Sequence, residues 1–456
     1  MKITKDIVII GAGITGLTTG LHLKDKKSDF LIIDKATRIG GVINTKSNQK
    51  YVWEEGPNSA IIGNTEAIKL FDRLKEHIEV VTGSEKVKKR YVLKNGTWHA
   101  LPSGPMSAIK TPLFTLGDKF RVLGEPFRSA GTNPDETLAE MVERRLGKSF
   151  LDYAIDPFIL GVYAGDPKML IPKYALPKLY NLEQKYGSFI KGSMKKGKEP
   201  KTELEKRVTR EIFSIKGGLS RLPEAIYKEI GAENVLLSFE NAKISLTDNG
   251  KYSIVGKLAG NDIEITANKV ITTTGAHRLS ELLSFVSPED IKKITSLPYA
   301  KVVEIALGFD KWKGMELDAF GGLIPHKENR DILGVMFMSA SFENRAPQEG
   351  ALFSVFCGGI RRPEIFKLSD EQIMKMLEKE FISLMKISEF KPDLINIIRY
   401  ETAIPQYGIE SKDRFETVEK LQNTYKGLII GGNLIDGIGM ADRIAQATKL
   451  SELCEK

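Results

Sequence analysis

Short apolar runs, several of them followed by residues with a helical period, punctuate this chain. Asp6 to Ile10 reads as a buried strand, Leu17 to Leu23 as the helix after it, and Phe30 to Ile33 as a second buried strand. Tyr51 to Trp53 is a short strand running into the turn-rich Glu54-Glu55-Gly56-Pro57-Asn58-Ser59. Tyr91 to Leu93 and Thr97-Trp98, on either side of Lys94-Asn95-Gly96, predict a hairpin with an Asn-Gly turn. From Met106 to about Lys191 the pattern is helical, with Pro and Gly punctuation. Ile212 to Ile230 returns to the first domain, Lys216-Gly217-Gly218-Leu219 opening a helix with Leu222 and Ile226 on one face. Val235 to Ser238, Ala242 to Leu246, Tyr252 to Val255 and Ile263 to Ile265 are expected as short antiparallel strands, and Val270 to Thr274 as a separate buried strand ending at Gly275. Residues 298 to 360 predict several strands, with turns at Phe320-Gly321-Gly322 and Arg345-Ala346-Pro347, and residues 370 to 388 an amphipathic helix. Gly427 to Asn433 is a last strand, Asp436 to Met440 a glycine turn, and a helix starts at Ala441. No internal repeat is evident.

The first strand opens directly into Gly11-Ala12-Gly13-Ile14-Thr15-Gly16, a G-x-G-x-x-G in the strand-to-helix context it requires. Gly11 permits the tight turn, Gly13 lets backbone approach a pyrophosphate, and Gly16 allows close packing of helix on strand. The diphosphate would sit at the helix N-terminus, where unpaired N–H groups and the positive dipole end favour an anion. Asp34, at the tip of the second strand, is placed to accept hydrogen bonds from ribose hydroxyls, and its charge disfavours the extra phosphate of NADP. Arg38-Ile39-Gly40-Gly41 follows. The C-terminal strand, glycine turn and helix supply a second helix N-terminus. One nucleotide does not need two such sites, whereas a large dinucleotide whose reactive ring carries developing negative charge does, and reduced flavin is such a ring.

At 456 residues, two or three domains are expected. Cys357 and Cys454 share no metal-type spacing and suggest no disulfide framework, so a reducing, cytosolic setting is expected. The chain enters a strand at Asp6, no eighteen-residue apolar stretch occurs, and neither an export signal nor a membrane span is expected. Net charge is +8 and the pI about 9.0. Much of that excess lies in Lys191 to Arg210, read as a solvated, mobile loop, with contact to anionic lipid or an acidic substrate as the alternative. Nucleic acid is not expected as a partner because the basic run lacks interleaved aromatics and no recognition motif accompanies it.

These residues resemble the FAD-dependent protoporphyrinogen oxidases, within the wider group that includes amine oxidases and phytoene desaturases. The wider resemblance rests on Gly11 to Gly16, Asp34, Arg38-x-Gly40-Gly41, Lys216-Gly217-Gly218 and Gly432-Asn433 through Met440. The narrower one rests on Trp53 to Ser59, Lys89-Arg90-Tyr91, Asp156-Pro157-Phe158, Gly161 to Pro167 and Asn344 to Pro347, in the family's order. Val42 stands where many relatives have Arg, which argues against an amine oxidase, and Asp34 stands where the family often has Glu.

The resemblance implies a fold of the α/β plus α+β class: a discontinuous Rossmann-like FAD-binding domain (1–83, 212–284 and 420–456), a mixed-sheet substrate domain (84–99 and 285–419) and a helical membrane-associating domain (100–211, with the basic loop 191–210). It implies FAD contacts at Gly11, Ala12, Gly13, Ile14, Thr15, Gly16, Asp34, Lys35, Arg38, Gly40, Gly41, Val42, Gly56, Pro57, Asn58, Ser59, Ala242, Gly432, Asn433, Ile438, Gly439 and Met440. Substrate would lie between Arg90, Phe158, Gly161, Leu323, Met336 and Phe356. A porphyrinogen is a largely apolar macrocycle with carboxylate arms, which suits apolar walls and an arginine able to hold a propionate bidentately. No acid–base side chain is required. The five histidines form no triad or metal motif, and no metal is implied.

The implied reaction is hydride loss from a meso carbon to flavin in three two-electron rounds, taking protoporphyrinogen IX to protoporphyrin IX with O2 reduced to hydrogen peroxide. Oxidation of coproporphyrinogen III is the alternative, which more cations facing the pocket would favour; Lys88, Lys89, Arg361 and Arg362 are the residues in question. An amine oxidase, and a binding or escort protein of the same fold without turnover, are the further alternatives. A cytoplasmic protein lying on the inner face of the cell membrane is expected, and a homodimer is compatible with the resemblance.

Overall fold

The computed structural model describes residues 1–455, without the side chains of Lys86 and Pro105. Two seven-stranded sheets organise it. In the first, the strands run in the order Val235–Leu236, Phe30–Ile33, Lys2–Ile10, Asn261–Thr272, Tyr252–Leu258, Phe239–Leu246, and Leu428–Ile430 also pairs with Asn261–Thr272. The central pairings are parallel, Ile7 lying opposite Phe30 and Ile10 opposite Thr272. Alternate side chains serve two layers. Ile7, Ile9 and Ile32 face the helices Ile14–Asp25, Arg221–Ile230 and Met440–Leu453 through Leu17, Leu21, Ile226 and Ile444. Val8, Ile10 and Ile33 face the opposite core with Leu138, Val142 and Leu283. A strand buried on both sides needs a continuous apolar run, which is why these strands are legible in the sequence.

Three expectations change. Val235–Leu236 pairs parallel with Phe30–Ile33, not antiparallel. Ile263 to Ile265 and Val270 to Thr274 belong to one strand, Asn261–Thr272, which runs parallel to Lys2–Ile10 while its first part pairs antiparallel with Tyr252–Leu258. The polar residues between the two apolar pieces do not break it, because Asn268 is exposed and donates to Asp6 at 2.8 Å. The expected loop at 191–210 is helical over Phe189–Gly197 and again over Glu203–Lys206, the first helix capped by Ser188, whose hydroxyl accepts from Lys191 N.

The second sheet runs Leu394–Pro405, Tyr299–Phe309, Ala351–Gly358, Ile332–Phe337, Ala319–Leu323, Lys89–Lys94, Thr97–Ala100. Its last two strands form the Asn-Gly hairpin, with Asn95 and Gly96 at φ of 52° and 71°. The turn expected at Phe320 to Gly322 is instead strand interior. There the glycines serve close packing, since a Cβ on Gly322 would overlap the Trp98 ring and one on Gly321 the Val335 carbonyl. One face of this sheet, with Val303, Ile305, Phe353 and Val355, is covered by helix Asp370–Met385 through Ile373, Leu377 and Phe381.

Between the sheets in sequence lies a helical block from Pro105 to Lys206. Among the described residues no helix is long and apolar enough to cross a membrane. A fully buried charge network pins the block. Arg145 donates to Glu125 at 2.5 Å and to Glu183 at 2.6 Å, while Glu125 also accepts from Ser188 Oγ at 2.6 Å and from Phe189 N at 2.9 Å. Removing one partner strands the others in a fully buried site. Glu125→Ala should therefore cost about 3 kcal/mol or more, measured as a loss of hydrogen-exchange protection concentrated in residues 125–190 and small in the first sheet.

Candidate active site

The turn after the first strand is closed by contacts that exclude side chains. Gly11 has a φ of +114°, and a Cβ on Gly16 would overlap the Gly11 carbonyl oxygen. Gly13 is different: the nearest atom to a Cβ there would be Gly41 Cα at 4.0 Å, so open space lies in front of this backbone. Helix Ile14–Asp25 starts at Gly13 with no capping side chain and no acid in its first turn. Its N–H groups are therefore free to meet an anion. Asp34 stands at the edge of this space, its carboxylate accepting from Ala12 N at 2.6 Å and Ala36 N at 2.8 Å. Gly40 N donates to Ala12 O at 2.8 Å, and Arg38 braces the paired glycines by donating to the carbonyls of Gly41 (2.8 Å) and Ile43 (3.0 Å). Arg38 thus supports the cradle through backbone. The donor set, a glycine-lined gap with an uncapped helix end and a carboxylate at its edge, fits a dinucleotide.

Of the remaining residues expected to meet the cofactor, Lys35 and Val42 are exposed. Ala242 is half-buried, three residues beyond Phe239, whose N–H donates to Asp34 O at 2.9 Å. Gly56 has a φ of +106°, and Asn58 is buried. At the C-terminal turn Gly432 N donates to Gln446 at 2.8 Å, Asn433 accepts from Tyr299 (3.2 Å) and Tyr407 (2.7 Å), and Asp442 accepts from Gly439 N at 3.2 Å. Ile438 is half-buried, whereas Met440 packs into the same core as Ala12 and Ile14.

Register brings together the residues expected to meet substrate. Leu323 lies opposite Val92 and Gly334, Met336 opposite Gly321 and Ser354, and Phe356 opposite Gly334 and Glu304. Side chains alternate along strands, so Arg90, Leu323, Met336 and Phe356 all occupy the face that helix Asp370–Met385 leaves open. In otherwise buried strands, Leu323, Met336 and Phe356 keep partial exposure. Across from them stands helix Asp156–Tyr163, with Phe158 and Val162 about 41% and 42% exposed. Gly161 meets Leu323 so closely that a Cβ would come within 2.5 Å of Leu323 Cδ2. The result is a direct apolar contact between one helix and one sheet face, with side chains on both left partly exposed.

The cations around it differ in availability. Lys88 pairs with Glu85 and Lys89 with Asp318. Arg361 donates to Asp156 at 2.5 Å and Asp166 at 2.7 Å, which ties the Phe158 helix to the strand of Phe356, and Arg362 pairs with Asp331 at 2.9 Å. Arg90 engages its neighbours through its backbone carbonyl, which accepts from Leu101 N at 2.8 Å, and among the described residues no carboxylate pairs with its guanidinium. No group of His, Cys, Asp and Glu able to hold a metal occurs among the described residues. Sequence reasoning passed over Glu304, although a lone acid inside Val302-Val303-Glu304-Ile305-Ala306-Leu307 was a signal.

Two glycine substitutions separate folding from binding. Gly13→Ala should fold normally but lose FAD affinity by roughly tenfold or more, about 1.4 kcal/mol, because its methyl enters the open gap. Gly16→Ala should lower thermal stability as well. Fluorescence titration with FAD and melting curves of both apoproteins check this.

A family model described as flavin containing amine oxidoreductase matches residues 14–433. The Arabidopsis thaliana protein named Protoporphyrinogen oxidase 1, chloroplastic, is 30% identical over 466 residues, covering 96% of this chain and 86% of that one. Coproporphyrinogen III oxidase of Bacillus subtilis (strain 168) is 28% identical over 462 residues, covering 97% and 96%. A crystal structure from Exiguobacterium sp. 255-15, provisionally described as a protoporphyrinogen oxidase, shares the fold with a TM-score of 0.81 at 21% identity, over 99% of both chains. The chain belongs to the flavin containing amine oxidoreductase family and is an FAD-dependent oxidoreductase.

Proposed function

We propose that this flavoprotein oxidises protoporphyrinogen IX to protoporphyrin IX, with O2 as acceptor and three molecules of hydrogen peroxide formed in the removal of six electrons. The observation that carries this reading is the apolar lining shared by one sheet face and the helix packed on it: Leu323, Met336 and Phe356 on the sheet, Phe158 and Gly161 on the helix, and on the same sheet face Arg90, whose guanidinium no carboxylate pairs among the described residues. Relatives bearing the protoporphyrinogen oxidase name over nearly the whole chain support it.

FAD, when bound, supplies the hydride acceptor. Gly11 to Gly16 and Asp34 would hold its nucleotide end, and Gly56 to Ser59 with the C-terminal turn its ring end. The apolar walls exclude water and fix the macrocycle's plane, and Arg90 anchors a propionate so that the same face is presented in successive rounds. The Bacillus subtilis relative favours coproporphyrinogen III as a second reading. Four propionates would call for more free cations, yet Lys88, Lys89, Arg361 and Arg362 are all engaged by carboxylates of this chain. That count supports the two-propionate substrate.

A membrane surface is the further partner in this reading. Helices Pro105–Lys110 and Leu116–Leu123 and the turn after them expose Met106, Ile109, Leu116, Phe120, Leu123 and Phe127, with Lys191 lying over the Phe127 ring. An apolar cluster rimmed by lysines suits the anionic, cytoplasmic face of a bilayer, from which a poorly soluble porphyrinogen could be taken up.

Two measurements follow. Arg90→Ala should raise KM for protoporphyrinogen roughly tenfold or more with the bound-flavin spectrum unchanged, and wild-type kcat/KM should be higher for protoporphyrinogen than for coproporphyrinogen; the reverse preference overturns the substrate assignment. Phe120→Ser with Phe127→Ser should abolish co-sedimentation with anionic vesicles while leaving turnover in detergent intact.

A further inference from the structure

Strand Tyr299–Phe309 carries a single acid in its apolar centre, and that acid, Glu304, is 2% exposed. It lies opposite Phe356 on one neighbouring strand and Ile398 on the other, so its side chain shares the face that carries Phe356 and Met336. Both oxygens are spent on one loop: Oε2 accepts from Gly56 N at 2.8 Å and Oε1 from Asn58 Nδ2 at 2.5 Å. Asn58 is held from its other side by the Ser354 hydroxyl, and Ser354 lies opposite Met336. Among the described residues no cation pairs with Glu304. A carboxyl buried without a counter-cation carries a desolvation cost that packing alone does not require, since any apolar side chain would fill a strand centre.

We propose that Glu304 is a positioning residue for the redox step: through Gly56 and Asn58 it fixes the Gly56 to Ser59 loop against the sheet face bearing Met336 and Phe356, and so sets the separation of flavin and substrate. This rests on the flavin-dependent reading above.

The electrostatics give the proposal a signature. Burial pushes the Glu304 carboxyl up to about 8; Glu54 and Glu55 add to the rise, and the bonds from Asn58 and Gly56 oppose it. Tyr400, on strand Leu394–Pro405, is held above its ordinary value by burial first and by Glu304 and Glu55 next, with Arg38 acting in the opposite sense. Between about pH 4.5 and about pH 8 the folded protein holds a proton here that the unfolded chain, at its ordinary 4.5, has already released. Stability from this group therefore declines as pH rises from about 4.5 to about 8 and is level above that. Ionisation also adds a negative charge beside the loop that would contact the flavin, where reduction itself adds negative charge, so turnover should fall on the alkaline side.

The test is Glu304→Gln in the flavin-loaded protein. The proposal expects kcat to drop roughly tenfold with KM and FAD content within about twofold, and the alkaline fall in kcat to disappear. An unchanged kcat, a persisting alkaline fall, or a parallel loss of kcat, KM and flavin overturns it. Should E304Q fail to fold, Ser354→Ala decides: a lowered kcat that keeps the alkaline fall supports the proposal, and wild-type kcat overturns it. If the wild type does not oxidise porphyrinogen, the functional reading falls by itself. Melting then judges Glu304: between about pH 6 and about pH 9 the wild-type Tm should decline more than that of E304Q, and equal declines overturn the proposal.

Discussion

The carboxylate of Glu54 is where three segments of the chain meet. Fully enclosed, it accepts from Arg345 at 2.8 Å, from the backbone N–H of Leu219 at 3.0 Å and from the Thr45 hydroxyl at 2.6 Å. Arg345 donates its other nitrogen to Ser214 at 2.8 Å. A buried ion pair of this kind is stable only when every lone pair and proton is used, so the geometry of all three segments is fixed together. Immediately downstream, Gly56 and Asn58 are bonded to Glu304 of the second sheet. These bonds together fix the segment at 54–58 to the second sheet and to the segments around Thr45, Leu219 and Arg345.

That arrangement divides the chemistry between backbone and side chain. At the cradle the chain offers mainly N–H groups, a helix end and one carboxylate, because a diphosphate needs close approach more than it needs charge. The sheet face and its helix offer apolar surface and a cation, Arg90, that no carboxylate pairs among the described residues. Orientation and exclusion of water are then the chain's contributions, the cofactor supplying the electron sink. Ion pairs elsewhere in the site are structural: Arg361, held by Asp156 and Asp166, keeps helix Asp156–Tyr163 at its distance from the sheet.

The sequence made the cradle legible because each glycine there answers to a specific steric demand, and the parallel strands because burial on two faces leaves no room for polar residues. It was less informative wherever one side of a strand is half-exposed. Asn261–Thr272 looked like two strands since Asn268 and Lys269 interrupt its apolar pattern, and Leu394–Pro405 was passed over because its side chains are mostly half-buried or exposed. The glycines at 321 and 322 imitated a turn while serving close packing against Trp98 and Val335. Among the site residues, the juxtaposition of Leu323, Met336 and Phe356 depends on register between three strands, which no local pattern encodes; there the family resemblance, not periodicity, pointed to them. Glu304 had a local signal, an acid in an apolar run, but its partners lie 246 and 248 residues away in sequence.

The central claim is that the cradle and the apolar sheet face serve one reaction, with electrons passing from a porphyrinogen to flavin held by Gly11 to Gly16. Anaerobic addition of protoporphyrinogen IX to the flavin-loaded protein tests it most directly. The account predicts bleaching of the flavin absorbance together with the appearance of porphyrin fluorescence, at about one porphyrin for every three flavins reduced, since six electrons leave each macrocycle and each flavin takes two. Flavin that stays oxidised while porphyrinogen is in excess would contradict it.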